Sequence, residues 1–177
     1  MVRRVEVVPY NPVWAGMFTQ ESARLAGILS TEIVACHHIG STAIPGILAK
    51  PIVDILLEVK DIQRIDSYND QLIGLGYQPR GEYGIPGRRY FIKEINGLRT
   101  YHVHIYQTGN SEIARHINFR NYLIAHPAEA QAYSRLKAEL AQQFPQDINS
   151  YVEGKTSFIR SVDEKARAHK TDVWHNY

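Results

Sequence analysis

The chain has 177 residues, of which 44% are hydrophobic and 21% are charged, as is ordinary for a globular protein. Its 20 basic and 18 acidic residues give a net charge of +2, which excludes a strong electrostatic case for DNA, RNA or a membrane surface as the main partner. The single cysteine excludes an internal disulfide framework and favours a reducing, cytoplasmic location. No signal peptide is expected, and no apolar run approaches the ~20 residues that a membrane-spanning helix needs.

The length predicts one domain over residues 1–177, with a core over about residues 5–168 and a polar C-terminal tail. The first helix is predicted to begin after Asn11-Pro12, a favoured N-cap followed by a favoured first residue. Its apolar face carries Trp14, Met17, Phe18, Leu25, Ile28 and Leu29. Glu21 falls in the middle of that face, which leaves two interpretations. Either its stem packs flat with the carboxylate at the edge, or the carboxylate is the partner of a buried cation.

Two apolar runs, at 33–39 and 51–59, are predicted to be central strands separated by a loop rich in glycine and proline. This loop, which we call the serine loop, begins with Gly40-Ser41-Thr42. The N–H groups and hydroxyls of these residues either hold a phosphate or simply form a turn. The second run contains a single acid, Asp54. A carboxylate in so apolar a strand is costly unless it meets a metal, a cation or hydrogen-bond donors.

A β-hairpin follows, because Asn96-Gly97 lies between two β-type runs, at 89–95 and 98–105, and is typical of a type I′ turn. Such a turn fixes the strand register and predicts that Arg89 lies opposite His104. In this register one face collects the polar residues Arg89, Lys93, Thr100, His102 and His104. We interpret this polar face as a candidate site.

His102 and His104 share one face of the second hairpin strand, about 6.5–7 Å apart by the strand rise. The pair is either polar surface or a pair of ligands. Imidazole favours Zn, Mn, Ni or Cu over Mg, so the identity of any metal stays open. Further along, Arg120 and Lys155 fall within the apolar stripes of C-terminal helices. Together with Arg89, the serine loop and the lone acid, these cations suggest an anionic ligand.

Several of these motifs together resemble the GrpB-like family, from Val7 to about Ala168. They are His38-Ile39-Gly40-Ser41-Thr42, Lys50-Pro51-Ile52-Val53-Asp54, Tyr101-His102-Val103-His104, Phe119-Arg120-Asn121-Tyr122-Leu123, and Tyr151 with Lys155. The family is placed in the nucleotidyltransferase superfamily, with the DNA polymerase β-type fold. The resemblance implies an α/β (α+β) fold with a mixed sheet flanked by helices and a C-terminal helical segment.

The resemblance also implies that Gly40-Ser41 contacts nucleotide phosphates and that Asp54 helps to hold a divalent metal. Our hypothesis extends these roles to further residues. Gly40, Ser41 and Thr42 would bind phosphates. The negative charge of the phosphates would be countered by Lys50, Arg89, Arg120 and Lys155. Asp54, His102 and His104 would hold a divalent metal (Mg, Mn or Zn), with Asp54 and His104 also serving as the catalytic pair. The superfamily places a second carboxylate two residues after the first, where this chain has Leu56.

The leading hypothesis is a nucleotidyltransferase-like protein that binds a nucleotide or another phosphorylated small molecule with a divalent metal. One alternative, motivated by Leu56, is a member that keeps the pocket without turnover and acts as a ligand-binding module. Another is a metal-dependent phosphoesterase that uses His38, His102 and His104 as acid, base or ligands.

Overall fold

The computed structural model describes the backbone of residues 3–174 and the side chains of residues 3–169. Over this range one mixed sheet contains β1 (Ile33–Ile39), β2 (Val53–Val59), β3 (Tyr77–Pro79), β4 (Arg88–Ile95) and β5 (Leu98–Gln107), in the order β1-β2-β5-β4-β3. The helices that flank it are α1 (Val13–Leu29), α2 (Asn69–Gly74), α3 (Ser111–Ala125), α4 (Pro127–Gln143), α5 (Ile148–Gly154) and α6 (Thr156–Trp174). The expected mixed sheet with a C-terminal helical segment is confirmed. None of the helices in this range combines the length and apolarity needed to cross a membrane.

β2 is the central strand that positions the candidate acid. It pairs antiparallel with β1 and parallel with β5. β1 pairs with β2 alone among the described strands, so the prediction that residues 33–39 form a central strand is wrong: this strand lies at the sheet edge. The second predicted strand is confirmed, although it begins at Val53 rather than at residue 51.

One face of the sheet packs against α1 and α2 and forms the main core. Asn11 initiates α1, because its side-chain oxygen accepts a hydrogen bond from the Val13 N–H at 3.0 Å. The apolar positions of α1 then meet alternate residues of β2 and β5, and the buried members include Trp14, Leu25, Leu29, Val53, Ile55, Leu57, Val103 and Ile105. The burial of these apolar side chains is the main stabilising contribution on this side.

Glu21 lies inside this core with no exposed surface. Its Oε1 accepts hydrogen bonds from Lys93 Nζ at 2.7 Å and from the Tyr77 hydroxyl at 2.8 Å, and its Oε2 accepts one from Arg24 at 2.8 Å. Burial tends to raise the pKa of this carboxyl, but these hydrogen bonds outweigh it, and the pKa falls below its ordinary value. Of the two interpretations of Glu21, the partner of a buried cation is confirmed.

The other face of the sheet is covered by the C-terminal helices. Ile39, Leu56 and Tyr106 pack there against Ile113 of α3. A second helical cluster forms behind them, in which α3, α4 and α6 contribute Tyr122, Leu123, Ala130, Tyr133, Val162 and Ala166. Because side chains alternate along β2, Asp54 lies on this helix-covered face, opposite the main core.

The predicted hairpin is present, and both of its turn residues have positive φ, 54° at Asn96 and 75° at Gly97. A β-bulge between Lys93 and Glu94 then leaves Thr100 of β5 without a partner and shifts the register by one residue. The predicted pairing of Arg89 with His104 is therefore wrong.

The bulge redistributes the side chains of β4 between the two faces. Tyr90 lies opposite His104 and shares its face, whereas Arg89 lies opposite Ile105 and faces the α1 and α2 side. Lys93 also faces that side, where it meets Glu21. Neither cation belongs to the polar face that the regular register predicted.

Candidate metal and anion site

Asp54 and His102 are direct neighbours in the parallel ladder of β2 and β5, and His104 is two residues further along β5. All three side chains share the helix-covered face. The Nε2 atom of His104 lies 3.0 Å from Asp54 Oδ1, and the Nδ1 atom of His102 lies 3.4 Å from the same oxygen. The predicted convergence of this acid with both histidines is thus present in the structure.

Asp54 is held as an anion by these neighbours. Burial tends to raise the pKa of its carboxyl, but hydrogen bonds and charge interactions with His102 and His104 lower that pKa far below its ordinary range. The backbone of the serine loop closes the other side of the carboxylate. A Cβ atom at Gly40 would lie 2.8 Å from Oδ2, and Gly40 has φ +74°, so only glycine fits this position without strain.

The three side chains can supply a divalent metal with one ligand atom each, and these atoms lie within 4.8 Å of one another. The Nδ1 atom of His102 faces Asp54, and its buried Nε2 has no hydrogen-bond partner within the described part of the chain. One carboxylate and two imidazoles suit Mn, Zn and related transition metals better than Mg, which prefers oxygen ligands. The residues therefore fit a metal of this class.

Arg88 is the nearest outer neighbour of His104. Its Nη1 lies 3.5 Å from His104 Nδ1, and its guanidinium stacks over the Tyr90 ring at 4.6 Å. The guanidinium also donates to the backbone carbonyls of Glu82 and Tyr83, which holds it in place. A histidine that ligates a metal through Nε2 normally donates its other N–H to an acceptor. Arg88 can only donate, so it opposes metal binding by His104.

A cavity of about 200 Å³ adjoins this triad. Its lining combines the serine loop, the acid, one histidine and several cationic and aromatic side chains, namely Gly40, Ser41, Thr42, Lys50, Ile52, Asp54, His102, Tyr133, Lys137, Tyr151 and Lys155. Two of the lysines were singled out from the sequence. Their ammonium groups flank the Tyr151 ring, with Lys50 Nζ at 5.2 Å and Lys155 Nζ at 4.6 Å from its centroid.

The sequence analysis missed Lys137 of α4, which is only 2% exposed. Its Nζ donates a hydrogen bond to Ser41 Oγ at 2.9 Å and another to the backbone carbonyl of Leu48. A signal was present, because Tyr133, Lys137 and Leu140 follow one another at helical spacing on the buried side of α4. The contact to Ser41 spans 96 positions of the chain and depends on how α4 packs.

Other residues expected at the site lie outside this cavity. Arg89 binds Asp66 through two hydrogen bonds of 2.7 and 3.2 Å on the opposite face of the sheet, because of the bulge. Arg120 donates to the backbone carbonyl of His38 at 2.8 Å and so supports the strand that precedes the serine loop.

His38 faces α1 rather than the triad. Its ring stacks on Phe18 at 5.0 Å, its Nε2 lies 2.9 Å from Thr42 Oγ1, and burial lowers its pKa to about 4. This neutral imidazole therefore orders the serine loop from the core side.

Comparison with known proteins gives a consistent result. The family described as GrpB protein matches residues 4–165. The chain is 48% identical over 168 residues to the UPF0157 protein YqkA of Bacillus subtilis; this match covers 95% of the chain and 49% of YqkA, so the chain spans about half the length of that relative. It is 35% identical over 171 residues to a UPF0157 protein of Pseudomonas aeruginosa, covering 93% of the chain and 69% of the relative.

A solved structure extends the comparison to the fold. The crystal structure of the conserved protein GrpB from Enterococcus faecalis superimposes with a TM-score of 0.88 at 42% identity. The superposition covers 91% of this chain and 96% of the other. The family match over residues 4–165 and the relatives at 35–48% identity agree, and the chain therefore belongs to the GrpB family.

Proposed function

We propose that this chain binds a nucleotide or another phosphorylated small molecule together with one divalent metal and transfers a nucleotidyl group from it. The observation that carries the proposal is the position of Asp54 between the two histidines and the serine loop. Its Oδ1 contacts both imidazoles, while its Oδ2 lies against Gly40 at the entrance of the serine loop. A metal held there would adjoin an anion held in the lysine-lined cavity.

Different side chains of the site have different roles in this proposal. Ser41 and the three cavity lysines bind and orient the phosphate, and Asp54 holds the two imidazoles in a fixed arrangement. When bound, a divalent metal would polarise a phosphoryl oxygen and neutralise developing charge. Exclusion of water by the surrounding buried side chains strengthens each of these electrostatic interactions.

Leu56 occupies the position where the superfamily has a second acid, and it is fully buried against the helical layer. A second oxygen-ligated metal therefore lacks its carboxylate on this strand. Lys50, Lys137 and Lys155 supply positive charge on the same side of Asp54, which supports a mechanism with one metal in which lysines replace the charge of the second.

Calorimetric titration of the metal-free protein with Mn²⁺, Zn²⁺ and Mg²⁺, followed by nucleoside triphosphates, tests this proposal. We expect saturable binding of Mn²⁺ or Zn²⁺, tighter than that of Mg²⁺, and loss of it in Asp54→Asn and His104→Ala. The variant His169→Ala, which changes an exposed histidine of α6, is the matched control. No saturable heat in the parent, or an Asp54→Asn variant that binds equally well, would overturn the proposal.

A second candidate function is metal-dependent phosphoester hydrolysis, in which His102 ligates the metal through Nδ1, the nitrogen that faces Asp54, and its unpartnered Nε2 accepts a proton. Release of phosphate from generic esters, abolished in His102→Ala, would support hydrolysis over nucleotidyl transfer. Binding without any product in a screen of nucleotides and acceptors would instead support the non-catalytic ligand-binding module.

A further inference from the structure

Lys137 is a buried cationic side chain that has no ion pair within the described part of the chain. Its Nζ contacts two neutral oxygens, Ser41 Oγ and the Leu48 carbonyl, and lies 4.6 Å from the centroid of the Tyr133 ring. A buried ammonium without a counter-ion is costly. The group must therefore lose its proton or gain an anion.

The charged and titratable groups around Lys137 come from every element that surrounds the cavity. Lys50 lies on the loop before β2, Lys155 on the joint between α5 and α6, and Tyr151 on α5. Across the cavity, Asp54 of β2 and His102 of β5 are engaged with each other. Burial first, and then repulsion by Lys155 and Lys50, lowers the pKa of Lys137 to about 7.

Tyr151 gives an independent indication of what fills this space. The residue has no exposed surface, and its buried hydroxyl has no hydrogen-bond partner among the residues that the structure describes. Since a buried hydroxyl is normally paired, this one points to an absent acceptor. Five of the residues that line the cavity thus carry donor groups: three lysines with their amino groups, and Ser41 and Tyr151 with their hydroxyls. We call these five residues the lysine cradle.

We propose that the lysine cradle takes a multiply charged phosphate group, such as a diphosphate unit, and that Lys137 gains a proton as this group enters. Negative charge offsets the repulsion from Lys50 and Lys155, so at a pH well above 7 the protonated form of Lys137 becomes favourable when the cradle is filled. The proton comes from the solvent and no bond other than its N–H is formed. The inference rests on the proposed function for the assignment of the cavity to phosphate, but it requires no metal.

Titration of the metal-free full chain with inorganic pyrophosphate tests the inference, by calorimetry at pH 8 in two buffers of different ionisation enthalpy. The dependence of the heat on the buffer gives the number of protons taken up. We expect uptake in the parent beyond that of the ligand itself, mainly at Lys137 and to a smaller extent at Lys155, because burial lowers their pKa values to about 7 and about 8. Sulfate, which does not titrate in this range, provides a second probe of the same uptake.

Lys137→Met isolates the contribution of this lysine. We expect it to weaken pyrophosphate binding about tenfold and to remove most of the uptake that the parent shows beyond the ligand's own, leaving the part that comes from Lys155. Tyr151→Phe should weaken binding by a smaller factor and leave the uptake unchanged, because it removes a donor but no titrating group. The control Lys60→Met changes an exposed lysine that contacts the Thr31 carbonyl and should match the parent.

The outcomes separate this inference from the proposed function. Pyrophosphate binding with uptake at Lys137, in a chain that binds no metal, supports the inference and defeats the proposed metal centre. Three results would overturn the inference: the metal-free protein does not bind pyrophosphate, it binds any anion adventitiously in a way that Lys137→Met does not change, or Lys137→Met takes up as many protons as the parent. If Lys137→Met does not fold, as judged by circular dichroism, Lys137→Arg keeps the charge and should bind without the uptake linked to Lys137.

Discussion

Gly40 and Asp54 are in contact so close that a single added carbon at Gly40 would lie 2.8 Å from Asp54 Oδ2. Gly40→Ala should therefore displace the carboxylate as well as strain a backbone with φ +74°. We expect a loss of about 2–4 kcal/mol in the free energy of unfolding, from strain plus the clash. Metal affinity should fall with it. Urea unfolding and Mn²⁺ titration measure the two effects.

Gly97→Ala is the matched control for that change. Gly97 has a similar φ, +75°, but no atom lies within 4 Å of its added Cβ. It should lose only the cost of the backbone strain, about 1 kcal/mol, with metal affinity unchanged. Equal effects of the two substitutions on metal binding would show that the contact with Asp54 has no influence on the site.

Removing one partner of the buried pair of Glu21 and Lys93 should destabilise the main core. Lys93→Met leaves the Glu21 carboxylate without its closest cation and should cost about 3 kcal/mol. Because the pKa of Glu21 is lowered in the folded state, its contribution is present above the ordinary pKa of a glutamate and is lost as pH falls through the folded value. The difference between parent and variant should therefore shrink below about pH 4.

Urea unfolding across this pH range measures the contribution of the pair. The pair of half-buried Arg99 and exposed Glu94, at 3.4 Å, provides the control, since Glu94→Gln should cost no more than about 0.5 kcal/mol. A double change, Glu21→Met with Lys93→Met, should recover most of the loss because no buried charge stays unpaired: Arg24 is half exposed to solvent, and the Tyr77 hydroxyl loses only a neutral hydrogen bond. A double variant as unstable as Lys93→Met alone would contradict this account.

Lys137→Met should stabilise the ligand-free protein. The pKa of Lys137 is lowered to about 7, so between that pH and the ordinary lysine value the unfolded chain binds more protons than the folded one. Stability of the parent therefore rises with pH across this window, and the variant lacks this part of the rise. At pH 7 we expect the variant to be more stable by roughly 2 kcal/mol. Thermal unfolding at pH 7 and pH 9 should show the two chains converging at the higher pH.

Arg88→Met should tighten metal binding. Removing the guanidinium takes a donor and a positive charge away from His104 Nδ1, so the imidazole can take the tautomer that frees Nε2 for a metal. We expect about tenfold higher affinity for Mn²⁺ or Zn²⁺, as measured by calorimetry. Stability should fall by about 1–2 kcal/mol, because the carbonyls of Glu82 and Tyr83 lose their donor.

Arg89→Met is the matched control for this change, since the neighbouring residue lies on the other face of β4 and pairs with Asp66. It should leave metal affinity at the parent value. Weaker metal binding in Arg88→Met than in Arg89→Met would contradict the opposition between Arg88 and the metal.

The features that could be predicted from the sequence are those that depend on local order. Alternation along a strand placed His102 and His104 on one face, and the same rule fixed the face of Asp54. The Asn96-Gly97 turn specified the hairpin because few other dipeptides accept positive φ at both positions. These rules operate within about ten residues, and they located both halves of the candidate metal centre.

What could not be predicted depends on contacts between distant segments. The approach of Lys137 to Ser41 follows from the packing of α4 on the serine loop, which no local pattern encodes. The edge position of β1 is likewise decided by which strands pair across the whole sheet. The assignment of Arg89 failed for a smaller reason, because one unpaired residue in β5 reverses every side chain beyond it.

That unpaired residue, Thr100, determines on which face of the sheet the cationic side chains of β4 lie. Without it, the regular ladder would turn Lys93 away from Glu21 and into the vicinity of the histidines, and Phe91 would leave the main core with it. A one-residue deletion at Thr100 would thus remove the Lys93 ammonium from its structural role beside Glu21 and place it where it competes with the metal. The stability of the fold and the chemistry of the site therefore both depend on Thr100, a residue that belongs neither to the main core cluster nor to the cavity lining.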